Sequence, residues 1–398
     1  MAVPIKPLAV SAYTVTSALG HGLDAHLEAL TAARTGLRAN DFSRDALTCW
    51  IGRVADVEST PIPDDWRHRD CRNNRLAWLG LQQDGFLDQV NAARDRYGAS
   101  RVALILGTST ASIGATEEAY RRLEDQRIPP DMREPDIHSP HSLILFVADA
   151  LGLEGAALTM STACSSSAKV FASAERLIRL GVVDAAVVGG VDTLCDSVLY
   201  GFNALELVSP EPCRPFDRTR NGISIGEAAG FALLERAAAR PGAAQLIGYG
   251  ESSDAYHMST PHPEAAGARL ALQDALDRAG ITPEQVDYVN LHGTASQKND
   301  DVEAGLIAQV FPDHTRVSST KGFTGHTLGA AGIVEAAITL LAMQQGFVPG
   351  NLGASEPDPV CGPQFAWRNE TRAVNVALSN SFGFGGNNAC LAFRRGGV

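Results

Sequence analysis

The chain has 398 residues, 45% of them hydrophobic and 20% charged, with 38 glycines, a balance that excludes a disordered chain or a single small recognition module. Its 33 lysines and arginines face 45 aspartates and glutamates, and a net charge of -12 argues against nucleic acid as the main partner. At about 150 residues per domain, the length predicts two or three structural units.

In chain order, Leu8 to Val15 predicts a strand, and Leu23 to Ala33 a helix with Leu23, Leu27 and Leu30 on one face. Residues 37–75, rich in Asp, Arg and Pro, predict an irregular surface excursion. Leu76 to Tyr97 predicts a helix, Val102 to Leu106 a strand ending at Gly107, and residues 127–140, with four prolines, a long loop. Ala156 to Met160 is a short apolar run, Ser161 to Ser167 a turn, and Ala168 to Leu180 a helix stopped by Gly181. Val182 to Gly189 then reads as a strand covered on both faces. Strand, helix and strand in this order predict a parallel crossover.

The second half repeats the rhythm. Strand Val286 to Leu291 runs into His292, Arg316 to Ser318 leads to a glycine-rich loop, and Leu328 to Gln345 is a helix stopped by Gly346. Strands Ala373 to Ser379 and Ala389 to Arg394 flank the loop Asn380 to Gly386. The reading is a layered α/β protein of two pseudo-duplicated halves, 1–245 and 246–398, meeting between Arg240 and Gly248, although no close sequence repeat marks the duplication.

The seven cysteines have neither metal-ligand spacing nor a dense disulfide pattern, which predicts a reduced, cytoplasmic protein without a bound metal. Met1 to Val15, broken by Pro4 and Pro7, lacks a secretory apolar segment, and no run reaches the roughly 20 apolar residues of a membrane span. Ile333 to Met343, interrupted by Glu335, predicts a buried core helix.

Ser161-Thr162-Ala163-Cys164-Ser165-Ser166-Ser167 places a cysteine at a strand-to-helix corner, where the helix dipole favours thiolate and the following amides face a forming oxyanion. The competing reading is a buried structural cysteine. His292 follows a strand in a turn-prone segment, and His326 lies in a loop before the long apolar helix, so either serves a site at the strand ends or is a satisfied core residue. Glu335, among apolar neighbours, needs a partner, and Lys321 fourteen residues earlier is the candidate; a solvent-facing glutamate is the alternative. Asn380-Ser381-Phe382-Gly383-Phe384-Gly385-Gly386 permits close backbone approach, with Phe384 as a movable wall whose amide donates to an oxyanion. A nucleotide loop is disfavoured, because both GxxxxGK[ST] and GxGxxG spacings are absent.

These blocks, with Arg214-Pro215-Phe216-Asp217, Gly226-Glu227-Ala228-Ala229-Gly230, Ser252 to Met258, His292-Gly293-Thr294 and Ser319 to His326, give a chain that resembles an elongating β-ketoacyl-acyl-carrier-protein synthase over essentially its whole length. The resemblance implies a thiolase-like fold, layered α-β-α-β-α, and decarboxylative condensation of malonyl-carrier with an acyl group held on Cys164. It assigns His292 and His326 to the malonyl thioester, Lys321 and Glu335 to organising that site, and the amides of Cys164 and Phe384 to the oxyanion hole. Phe384 matches the gating phenylalanine, while Thr294 and Ser296 match the hydroxyls lining the phosphopantetheine channel. No enzyme-bound cofactor is implied. The chemistry is coherent, since loss of CO2 supplies a carbanion equivalent at neutral pH and neutral imidazole donors suit an enolate.

Where housekeeping enzymes usually read Gly-Thr-Ser-Thr-Pro-x-Gly-Asp, this chain reads Gly-Thr-Ala-Ser-Gln-Lys-Asn-Asp after His292; Gly-Gly-Asn-Asn replaces Gly-Gly-Thr-Asn, and three serines follow Cys164. These departures point to a specialised polyene or polyketide-like pathway, with housekeeping fatty-acid elongation as the alternative. A non-catalytic chain-length-factor-like subunit is opposed by Cys164, and a degradative thiolase by the poor placement of Cys390. The resemblance implies a homodimer, or a heterodimer with a chain-length-factor-like subunit, and the apolar Val182 to Val191 is consistent with a strand near that interface or equally with a central strand. Docking an acidic carrier protein requires local positive charge, for which Arg67, Arg69, Arg72 and Arg75 are the candidates. Asp64, Asp65 and Asp70 among them leave a mixed, solvated face as the alternative.

Overall fold

The computed structural model describes residues 3–397. One run of strands comprises β1 (Leu8–Ser17), β2 (Val102–Gly107), β3 (Ala157–Met160), β4 (Ala185–Asp192) and β5 (Ala228–Arg236). A second comprises β6 (Gln245–Ser253), β7 (Tyr288–Asn290), β8 (Arg316–Ser318), β9 (Val376–Gly383) and β10 (Asn387–Arg394). Their spatial orders are β3-β2-β4-β5-β1 and β8-β7-β9-β10-β6. In each run the first three strands are mutually parallel and the next two pairings antiparallel. The runs meet at a corner where Leu8 pairs Leu246 and Ala9 pairs Gln245. The duplication is therefore written in strand order and polarity.

Helices α1 (Gly22–Thr31), α2 (Arg72–Leu81), α3 (Phe86–Tyr97), α4 (Ser142–Leu151), α5 (Ser166–Arg179), α6 (Ala266–Ala279), α7 (Gln297–Val310) and α8 (Ala331–Gln345) complete the layers. Side-chain alternation sorts the strands between them. Ala103 and Ile105 of β2 face a central core with Phe171 of α5, Ile333 and Leu340 of α8, and Phe393 of β10. Val102, Leu104 and Leu106 face the opposite way, against α2, α3 and α4. The outer face of the second run is covered by α6 and α7. The result is the α-β-α-β-α arrangement, with α5 and α8 in the middle; each large aliphatic buried there contributes about 1.5–3 kcal/mol relative to exposure.

Being in the middle explains the composition of α8. Every residue from Ala331 to Met343 is buried, so the helix is apolar on all sides. Leu328–Gln345 is long and apolar enough to cross a membrane, yet it is packed between sheets. A Cβ on Gly332 would lie 2.5 Å from the Ala168 nitrogen, so glycine here permits α8 to touch α5.

Several elements differ from their predicted bounds. The helix predicted over Leu76 to Tyr97 is two, because Asp84 (φ 55°) and Gly85 (φ 65°) turn the chain. The Asp84 carboxylate is held there by the Thr14 hydroxyl at 2.7 Å and the Leu23 amide at 3.1 Å. Within the 37–75 excursion, Trp50–Gly52 pairs with Ile225–Gly226. Glu227 follows, buried, and accepts the amides of Val54 and Leu194, both at 2.9 Å. The strand predicted from Val182 begins at Ala185 and is internal, between β5 and β2, which is the central-strand alternative and not a strand at the interface edge. The edge of that run is β3, where Leu158 is 41% exposed.

Candidate active site

Cys164 occupies the turn from β3 into α5, and Ala163 before it takes a left-handed φ of 52°, a strained conformation for a residue with a Cβ. The three serines after it hold this turn. Ser165 Oγ donates to the Thr162 carbonyl at 2.9 Å, and Ser166 Oγ donates to that of Ala163 at 2.6 Å while accepting the Thr162 amide at 2.8 Å. Ser167 Oγ accepts the Ile333 amide at 3.0 Å, tying the turn to α8.

The segment before α8 delivers His326 to the sulfur, with Nε2 3.0 Å from Cys164 Sγ. Its backbone is pinned by the Ser224 carbonyl at 2.7 Å and the Gly226 amide at 2.9 Å. Gly329 donates at 2.6 Å to Asp192, which also accepts from Thr108, Ser109 and Thr110, so the end of β4 fixes the His326 segment. His292 is separated from the end of β7 by Leu291 alone, its ring 5.4 Å from that of His326 and nearly perpendicular at 88°. The His292 and Gly293 amides donate to Glu303 of α7 at 2.9 and 2.8 Å.

Lys321 and Glu335 form the predicted pair, at 1% and 3% side-chain exposure, and Lys321 Nζ also donates to the His292 carbonyl. The same nitrogen lies 3.4 Å from His292 Nδ1, and the Leu328 amide donates to His326 Nδ1 at 3.3 Å. Both Nδ1 atoms thus act as acceptors, which leaves the proton of each neutral ring on Nε2. Burial, reinforced by Lys321, holds both histidines well below their ordinary pKa. Burial lifts Glu335 to about 7 against the pull of Lys321, and Glu303 also to about 7.

The thiol corrects the dipole argument. Burial pushes Cys164 up to about 11 despite the Phe384 amide, which is directed at its sulfur, and the charge of Lys321. Desolvation outweighs the helix terminus, so the resting group is the thiol. Phe384 packs on Phe202 with rings 5.4 Å apart, in a turn where Gly385 and Gly386 have φ of 74° and 73°. Gly385 donates to the Met258 carbonyl at 2.7 Å and Gly386 accepts the Asp254 amide at 2.9 Å, joining the block at 252–258 to this loop.

A cavity of about 570 Å³ leads to Cys164, His292, His326 and Phe384, and Thr294 and Ser296 line it with their hydroxyls 2.9 Å apart. The donor atoms of Cys164, His292 and His326 lie within 4.8 Å of one another, a spacing compatible with a metal, but the ammonium of Lys321 beside His292 opposes a cation.

Of the docking candidates, Arg67 is exposed and Arg69 and Arg72 are engaged by carboxylates. Arg69 is 13% exposed and paired to Asp149 at 2.9 Å. Arg72 is 19% exposed and bonded twice to buried Glu227, at 2.9 and 2.8 Å. Arg72 lines a different cavity of about 350 Å³, with Glu117, Glu118 and Asp196. Both guanidiniums turn inward to neutralise buried or neighbouring carboxylates, whereas Lys298 is exposed on the Cys164 cavity. Glu303 and Asp192 were not legible as site residues; the only signal for Asp192 is a carboxylate ending a wholly buried strand.

A nucleophilic sulfur, two imidazole donors and a backbone amide converging at the end of a tunnel suit acyl transfer through a thioester. Models of the beta-ketoacyl synthase N-terminal and C-terminal domains match residues 75–239 and 243–355. The chain belongs to the beta-ketoacyl synthase family. It is 31% identical to 3-oxoacyl-[acyl-carrier-protein] synthase 2 of Synechocystis over 98% of each chain. It is 37% identical to nodulation protein E of Rhizobium meliloti, over 86% of this chain and 87% of that protein. The solved structure of a ketosynthase in complex with its chain length factor, from Xenorhabdus doucetiae, superposes with a TM-score of 0.89 at 37% identity, covering 98% of both chains.

Proposed function

We propose that this chain is a β-ketoacyl-acyl-carrier-protein synthase in which Cys164 carries the growing acyl group and His292 and His326 generate the malonyl-derived nucleophile. The observation that carries the reading is the 3.0 Å approach of His326 Nε2 to Cys164 Sγ at the end of a cavity shared with His292 and Phe384. Cys164 Sγ attacks the acyl thioester while the Cys164 and Phe384 amides hold the oxyanion; the carbon–sulfur bond to the carrier breaks, and the thiol proton leaves on the departing sulfur. Malonyl thioester then enters past Thr294 and Ser296 on its phosphopantetheine arm. Its carboxylate departs as CO2, and the released electron pair forms an enolate whose oxygen takes the Nε2–H groups of His292 and His326. The enolate carbon attacks acyl-Cys164, the carbon–sulfur bond breaks, and Cys164 takes up a proton. Lys321 holds His292 by its backbone and Nδ1, and Glu335 balances Lys321.

We assign the chain to a specialised polyene or polyketide-like pathway, supported by the departures after His292 and at Asn387 and by the ketosynthase neighbour that works with a chain length factor. The retained Cys164 supports the catalytic member of a homodimer or such a heterodimer, joined along the exposed β3 edge. The two halves are read as 1–245, bearing the nucleophile, and 246–398, bearing both histidines. The seven unpaired cysteines support a cytoplasmic setting. The test is incubation with malonyl- and acyl-carrier proteins, recording CO2 and product mass. Release of CO2 with a product two carbons longer supports the reading; absence of both with each plausible starter refutes it.

A further inference from the structure

Two features have no role in that chemistry. One is asparagine at 387, where threonine is more usual, and the other is Lys169. Lys169 lies on α5, five residues after Cys164, and is 8% exposed. A lysine ordinarily extends its ammonium to water, and enclosing one costs desolvation unless it is well bonded. Burial depresses its pKa, opposed by the charge of Glu251.

The ammonium has a specific acceptor. Lys169 Nζ donates to Asn387 Oδ1 at 3.2 Å, and Asn387 Nδ2 donates to the Phe384 carbonyl at 3.4 Å. The amide of Phe384 in turn faces Cys164 Sγ. One planar carboxamide thus accepts at one end and donates at the other, a division a single threonine hydroxyl cannot span in the same geometry. The bridge restrains a turn that needs it, because Gly385 and Gly386, both at positive φ, separate Phe384 from Asn387 and resist rotation weakly.

We propose that Lys169 is a positioning residue that acts through Asn387 to hold the Phe384 carbonyl, and with it the turn on which the preceding Phe384 N–H meets the sulfur and the oxyanion formed at Cys164. The proposal rests on the reading of Cys164 as acyl acceptor and adds the device that aligns its oxyanion hole. The lysine and the asparagine then belong together, which accounts for the departure at 387.

The test uses Lys169→Met, Asn387→Thr and the double variant of the full chain. With a small carrier-free acyl thioester, the rate constant for acylation of Cys164, followed by intact mass, falls about tenfold in each single variant with KM little changed. The double variant falls no further, because both changes break one bridge. Decarboxylation of a malonyl thioester, which uses His292 and His326, stays at the wild-type rate. Alkylation of Cys164 by iodoacetamide between pH 8 and 10 also slows, since the thiolate loses the Phe384 donor. Single variants that acylate and alkylate as fast as wild type overturn the proposal, as do multiplicative losses in the double variant. So does an equal loss of acylation and decarboxylation in Asn387→Thr, a half-buried position where the smaller threonine fits. If wild-type Cys164 is alkylated but never acylated, the condensing reading fails, and the alkylation comparison still decides the bridge.

Discussion

Lys321→Met removes the cation from a pair enclosed on all sides. In the intact protein, burial raises Glu335 from an ordinary 4.5 to about 7 even with Lys321 opposing it. At roughly 1.4 kcal/mol per pKa unit, that gap makes the ionised carboxyl a liability of about 3 kcal/mol at pH 8. Because the folded value is the higher one, the group's stabilising contribution is complete below the unfolded pKa and is lost as pH climbs through about 7. Taking away Lys321 lifts the folded value further, and because the carboxyl can then stay protonated, its titration adds at most about 1.4 kcal/mol of loss at pH 8. Near pH 5 the carboxyl is protonated in both proteins and the difference narrows. Urea unfolding at the two pH values measures this directly, and Lys321→Met/Glu335→Gln, which leaves no buried charge, recovers part of the loss. Malonyl decarboxylation also drops about ten- to a hundredfold, because His292 Nδ1 loses its donor. The same destabilisation at pH 5 and pH 8, or a double variant weaker than the single, refutes this account of the pair.

Cys164→Ala abolishes condensation yet retains malonyl decarboxylation, whereas His292→Ala or His326→Ala lowers CO2 release more than acylation; separate half-reaction assays show the split. Arg72→Ala leaves Glu227 buried without its cation and costs about 3 kcal/mol in urea unfolding, while KM for the carrier-bound substrate in the folded fraction stays near wild type. A rise in KM without loss of stability returns Arg72 to a docking role. Leu158→Lys on the β3 edge shifts the assembly toward monomer in analytical ultracentrifugation, with the circular dichroism spectrum retained; an unchanged mass places the interface elsewhere.

What the chain discloses without its fold is local. Cys164, His292 and Phe384 sit just beyond strand ends and His326 follows a short helical turn, Lys321–Thr324, each beside small or glycine residues, and turns of that kind are set by neighbouring residues. The Lys321 and Glu335 pairing was readable because a carboxylate amid apolar residues demands a partner. Strand positions were less legible: β4 and β9 begin about three residues later than predicted, since strands buried on both faces lack the alternation that marks an end. The break between α2 and α3 depends on Asp84 reaching residues 14 and 23, which no helical period encodes. Direction was decided by tertiary structure alone. Arg69 and Arg72 look like a basic surface in a row of letters, but buried Glu227 and nearby Asp149 draw them inward. Lys169 looks like the polar face of an amphipathic helix until the turn at 384–387 closes over it. Burial likewise sets the protonation of Cys164, because the desolvation of a charge depends on everything packed around it and on nothing that adjacent residues record.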